Sequence, residues 1–158
     1  MKLYHGSNME ITAIDLSKGR VGKDFGKGFY LSPDRLQAEK MAEITTFKLS
    51  SGDPHITSFE IEDSVLTSNI LKVKRFEGYT EEWAEFVALN RNNRTEIQSH
   101  DFDIVIGPIA DDRVGVQMRL YAEQYIDAKE LAARLQFVSP TLQYFFATEQ
   151  AIKFLHKL

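Results

Sequence analysis

A histidine followed by glycine and serine, in Leu3-Tyr4-His5-Gly6-Ser7, stands upstream of the segment Asp24-Phe25-Gly26-Lys27-Gly28-Phe29-Tyr30-Leu31-Ser32. The two stretches set an imidazole at the end of one short strand and a phenol ring on another. Glycines beside each carry no Cβ and let a ligand come close to the backbone. An imidazole and open backbone groups supply hydrogen bonds, and a tyrosine face supplies stacking. That set of groups suits gripping a flat, amide-bearing ring.

Competing chemistries fit less well. Gly26-x-Gly28 lacks the third glycine of a dinucleotide fingerprint, and no helix opens directly after Gly28. The Gly-Lys-Ser/Thr ending of a phosphate-binding loop is also missing. No Gly-x-Ser-x-Gly or His-Glu-x-x-His motif occurs, which removes the common hydrolase and zinc-protease readings. The chain has no cysteine, hence no disulfide, thiolate metal site or thiol nucleophile. His100, Asp101 and Asp103 cluster before a strand, but neighbours on a strand point to different faces, so no metal is expected there. Glu149 is a nearby carboxylate that reads best as a first-turn helix charge beside a Thr148 cap.

The elements that must position these groups can be read from patterning. Lys2–His5 forms a first strand, a long polar loop runs from Ser7 to Lys27, and Gly28–Leu31 forms a second strand. Long loops inside compact domains tend to be functional. Ser32 as N-cap and Pro33 at the first helical position start a helix with Ala38, Met41 and Ala42 facing inward. Strands are expected at His55–Ile61, Ile70–Lys74, Asp103–Gly107 and Thr141–Ala147. Thr80 caps a helix whose Trp83, Phe86, Val87 and Asn90 sit at helical spacing. Asp111-Asp112 caps a helix whose face carries Val114, Met118, Tyr121 and Tyr125. Asp127 and Glu130 make a capping box for the next helix. Thr148 caps the last, with Ile152 and Leu155 inward. Strands and helices alternate irregularly, without the rhythm of a doubly wound sheet, so the fold class is α+β with antiparallel or mixed sheets.

The chain's 158 residues fit one domain able to bury a core. A net charge of −4 gives no global support to phosphate-backbone binding. The clusters Lys72, Lys74, Arg75 and Arg91, Arg94 read as solvated faces. No apolar run approaches the roughly twenty residues of a membrane span, and the chain opens directly on a strand. A soluble, cytoplasmic protein with no membrane partner is expected.

Phe25-Gly26-Lys27-Gly28-Phe29-Tyr30 resembles the Phe-Gly-Lys-Gly-Ile-Tyr segment on the poly(ADP-ribose) polymerase side of the ADP-ribosyltransferases, and Tyr4-His5-Gly6-Ser7 resembles their His-Gly-Ser/Thr motif. From Leu3 to about Leu155 the chain also looks like the small bacterial proteins grouped as domain of unknown function 3990. The resemblance implies two splayed, mostly antiparallel sheets around an NAD cleft with helices outside, in one domain over 1–158. It implies that His5 donates a hydrogen bond to a ribose hydroxyl of NAD, that the Gly6 backbone meets the nicotinamide amide and that Tyr30 stacks on the ring. His5, Gly6, Ser7, Arg20, Gly28, Phe29 and Tyr30 would then contact the co-substrate. Arg20 and Lys23, in a loop that runs over the dinucleotide in the family, would meet its pyrophosphate.

The family's third motif carries a glutamate. Gln143, in Thr141-Leu142-Gln143-Tyr144-Phe145-Phe146, takes its place and completes a triad of His5, Tyr30 and Gln143. An amide can orient a ribose but cannot take up a proton or offset positive charge. Single transfer of ADP-ribose to a macromolecule is therefore expected over polymer formation, and Gln143→Glu is expected to keep or raise NAD hydrolysis. The polymerases' further pocket serine and tyrosine correspond here to Ala38 and Met41. The resemblance also implies a toxin-type effector with an antitoxin partner, acting on a protein acceptor in preference to a nucleic acid. An NAD glycohydrolase, an RNA 2′-phosphotransferase and a non-catalytic NAD or ADP-ribose binding module remain open on the same fold.

Overall fold

Two small open sheets, each too narrow to bury itself, are packed by helices into an α+β fold. The computed structural model describes residues 1–111 and 113–158. Strand β1 (Lys2–Ser7) pairs antiparallel with β3 (His55–Glu60), which pairs antiparallel with the short β7 (His156–Lys157). The second sheet has the order β2 (Phe29–Leu31), β6 (Leu142–Phe146), β5 (Ile104–Pro108), β4 (Val73–Arg75). Its β4–β5 pair is parallel and the others antiparallel. Among the described residues there are six α-helices: α1 (Arg35–Leu49), α2 (Asp63–Thr67), α3 (Glu81–Asn92), α4 (Gly115–Ala122), α5 (Ala128–Leu135) and α6 (Glu149–Ile152). None of these is long and apolar enough to cross a membrane.

One backbone bridge ties the sheets together. Tyr4 and Ser32 exchange two N–H···O bonds of 2.8 Å, so the two sheets are joined at this point. This junction positions everything that follows. His5 comes immediately after one bridging residue, and Tyr30 lies two before the other.

Strand β6 sits between two hydrophobic cores. Successive strand side chains point to opposite faces, and Phe146 enters one core with Leu3, Ile61, Ile104 and Ile106. Phe145 enters the other with Phe25, Trp83, Val87 and Val105. Both rings are fully buried. A strand covered on both faces reads as a continuous apolar run rather than an alternating one, which accounts for Tyr144-Phe145-Phe146. Burying each ring contributes about 1.5–3 kcal/mol.

Several expected boundaries move. Helix α1 is capped by Asp34, whose carboxylate accepts from the Leu36 N–H at 2.9 Å. Ser32 cannot begin the helix because its backbone is committed to the bridge with Tyr4, although its hydroxyl still accepts from the Asp34 N–H at 3.1 Å. Met41 is 41% exposed while Ala38 and Ala42 are buried, so the inward face is narrower than its pattern implied. β4 starts only at Val73, where pairing to Ile104 begins. Asp111 does not cap α4: it accepts from the Arg113 N–H at 3.0 Å, and Val114 precedes the helix without a side-chain cap. Asp112 lies outside the described residues. Tyr125 falls beyond α4 and is exposed. Asp127 caps α5 as expected, but Glu130 turns to Arg134 at 2.8 Å instead of closing the box.

Candidate active site

Residues of both sheets and of α1 line a cleft of about 540 Å³, within the range usual for small-molecule sites. His5, Tyr30 and Gln143 all line it. They come from three strands and both sheets, which is why only the folded chain brings them together.

The His5 ring is fixed by two contacts. Its Nδ1 lies 2.7 Å from the Tyr30 carbonyl oxygen, and its ring stacks on Phe29 with centroids 4.4 Å apart. A carbonyl can only accept, so Nδ1 carries the proton and Nε2 is left free of protein partners among the described residues. Burial lowers the imidazole pKa, and the bond to Tyr30 offsets part of that shift. The ring is therefore neutral near pH 7, and its free Nε2 accepts a hydrogen bond rather than donating one.

Tyr30 is held as a platform. Its hydroxyl donates to the Gly26 carbonyl at 2.8 Å and accepts from the Phe25 N–H at 3.0 Å. The ring rests on Phe145 with centroids 4.8 Å apart. Burial pushes the phenol pKa well above its ordinary value. With its hydroxyl committed to backbone, Tyr30 offers the cleft a face rather than a proton.

Gln143 sits opposite Gly107 on β6. Its Nε2 donates to Asp24 Oδ2 at 3.2 Å and to the Pro108 carbonyl at 3.3 Å. That carbonyl also accepts from the Trp83 indole N–H at 3.1 Å. Both partners of Nε2 are pure acceptors, which fixes the amide's orientation and leaves Oε1 as its free acceptor.

Asp24 carries no role in the sequence reading, yet it is 17% exposed at its side chain and borders the cleft. Its other oxygen, Oδ1, accepts from Arg91 Nε at 2.8 Å. The loop that carries it is strapped down from the segment after α3. His100 Nε2 donates to the Phe25 carbonyl at 2.8 Å, its Nδ1 accepts from the Phe102 N–H at 3.2 Å, and Gln98 donates to the Lys27 carbonyl. His100 is thus a strut. Asp101 pairs with Lys72, and Asp103 accepts from Thr148 Oγ1 at 2.7 Å.

The rim is cationic. Lys23, Lys40 and Lys48 border the cleft without an ion-pair partner among the described residues. Arg113 is committed to Asp111 at 2.9 Å, the Ser139 carbonyl at 3.1 Å and Thr141 Oγ1 at 2.9 Å. Unpaired ammonium groups around a concave wall attract an anionic ligand. Met41 and Ile44 of α1 add an apolar side.

A protein-family model described as a protein of unknown function (DUF3990) matches residues 1–157. The chain belongs to the DUF3990 family. No curated protein and no solved structure matches it.

Within this DUF3990 chain the expected contact residues divide into two groups. His5, Gly6, Lys23, Tyr30 and Gln143 reach the cleft, whereas Ser7, Arg20, Gly28 and Phe29 lie outside its lining. Arg20 is exposed on the loop, and Ser7 Oγ donates to Asn8 at 3.4 Å. Phe29 is the floor under His5. The two glycines make room for protein as much as for ligand. A Cβ on Gly6 would stand 1.9 Å from the Ala38 carbonyl oxygen, and one on Gly28 would stand 2.4 Å from the Phe145 ring. Ala38 lies buried against Gly6, so Met41 alone of that pair faces the cleft. Glu149 borders a separate hollow of about 290 Å³.

Proposed function

We propose that this DUF3990 chain transfers one ADP-ribose unit from NAD to a macromolecular acceptor and releases nicotinamide, on a fold of the ADP-ribosyltransferase type. The observation that carries this reading is the convergence of His5, Tyr30 and Gln143, the three residues singled out by the resemblance, on one cleft lined from two sheets. The Tyr30 face supplies the stacking surface for nicotinamide, and the Gly6 backbone lies at the same end. His5 Nε2 and Gln143 Oε1 are both acceptors aimed at hydroxyl groups of the adjoining ribose. The rim lysines match the pyrophosphate. What these residues do is orient the ribose and exclude alternative poses, which is how positioning lowers a barrier.

Purified protein incubated with NAD labelled in its ADP-ribose part tests the reading. Nicotinamide release together with label on protein or nucleic acid in cell extract is the expected result, and mass spectrometry locates the added mass. His5→Ala and Tyr30→Ala should each abolish turnover while thermal melts stay cooperative. Release without any labelled macromolecule would indicate glycohydrolysis instead, binding without turnover a non-catalytic module, and full activity in both variants would overturn the site assignment.

A further inference from the structure

We propose that Asp24 is the carboxylate of this site, supplying from the long loop the negative charge that Gln143 lacks. The proposal rests on the reading of the cleft as an NAD site and extends it to a residue that no motif names. Asp24 and Gln143 are 119 positions apart in sequence and share a hydrogen bond of 3.2 Å. Asp24 is thus held beside the amide that occupies the glutamate's place in the resemblance.

Three further observations bear on it. The carboxylate borders the cleft and is mostly withdrawn from water, where a charge acts more strongly than in bulk solvent. Arg91 Nε engages Oδ1, and Gln143 engages Oδ2, so the group is fixed without being walled off. At the Tyr30 hydroxyl its charge adds to the larger effect of burial, and the Arg91 charge beside it acts the other way. An amide and a carboxylate side by side divide the work of one glutamate. Gln143 Oε1 accepts from the ribose, and Asp24 offsets charge.

In the transfer, the bond between ribose C1′ and the nicotinamide nitrogen breaks, and its electron pair stays on that nitrogen, which becomes neutral. C1′ gains positive character until a lone pair of the acceptor forms the new bond, and the acceptor's proton passes to solvent. A fixed negative charge beside the ribose lowers the barrier because it is stronger against the transition state than against the ground state.

Asp24→Asn keeps the shape and an acceptor oxygen while removing the charge. Its kcat for nicotinamide release should fall about 100-fold or more with the dissociation constant for NAD close to the parent's, while the melting midpoint drops because the Asn amide turns an N–H2 toward one of the two donors, Arg91 Nε or Gln143 Nε2. In Asp24→Ala, added formate should restore kcat in a concentration-dependent way. A kcat for Asp24→Asn within threefold of the parent overturns the proposal and leaves the cleft reading intact. If the Asn variant does not melt cooperatively, the formate arm decides: rescue supports the proposal and no rescue overturns it. A parent protein that neither binds nor cleaves NAD overturns both readings.

Discussion

Gln143→Glu restores the residue expected from the resemblance, and the tertiary structure predicts that it weakens the protein. The amide's Nε2 donates to two acceptors, Asp24 Oδ2 at 3.2 Å and the Pro108 carbonyl at 3.3 Å. A carboxylate there can donate to neither, and it faces Asp24 as a like charge. Two such charges about 4 Å apart repel by about 4 kcal/mol at an effective dielectric near 20. Arg91 beside Asp24 and the partial exposure of the site reduce this to roughly half, so the introduced carboxyl titrates about 1.5 units above its usual value of about 4.3. The sign follows from proton counting. Between the unfolded and folded pKa the native variant holds a proton that the unfolded chain has lost, so stability falls as pH rises through that window. Relative to the parent, the variant should lose about 2–4 kcal/mol at pH 8. Near pH 4 the difference should shrink to about 1 kcal/mol, the contribution of the one hydrogen bond a protonated carboxyl cannot replace. Urea denaturation of both proteins at the two pH values measures this. A loss that does not change with pH, or a variant as stable as the parent at pH 8, would refute the placement of Asp24 beside residue 143.

Other consequences are independent of that pair. Burial depresses the His5 pKa, so its ring signals in an NMR titration should have a midpoint below the usual value of about 6.5. Because the unfolded histidine protonates first on acidification, the parent should lose stability below that pH, and His5→Gln should lose less. A midpoint above 6.5 would contradict the buried, Nδ1-donating ring. Gly6→Ala places a methyl 1.9 Å from the Ala38 carbonyl oxygen, which forces β1 off α1. The expected cost is about 1–3 kcal/mol or more, measured by denaturant melts, and an unchanged midpoint would show that β1 and α1 are not in close contact.

Much of the site was legible in the chain. His5 and the glycine-aromatic segment ending in Tyr30 carry local signatures, Gln143 is marked only by the resemblance, and each sits on a strand whose existence follows from short-range patterning. The Thr80, Asp127 and Thr148 caps were readable for the same reason: a cap is satisfied within three residues of itself. At Ser32 and Gly28 the deciding contact was long-range. Ser32 looked like a cap until its backbone was taken by Tyr4, and Gly28 looked like space for a ligand until Phe145 filled it. The sequence by itself determined the α+β class, the strands that carry the three site residues, and which groups could grip a ring. Only the tertiary structure brings Asp24 beside Gln143, because the two are 119 positions apart in sequence and no local pattern encodes that approach. It also set the His5 tautomer, which the Tyr30 carbonyl fixes across the strand junction, leaving Nε2 as an acceptor.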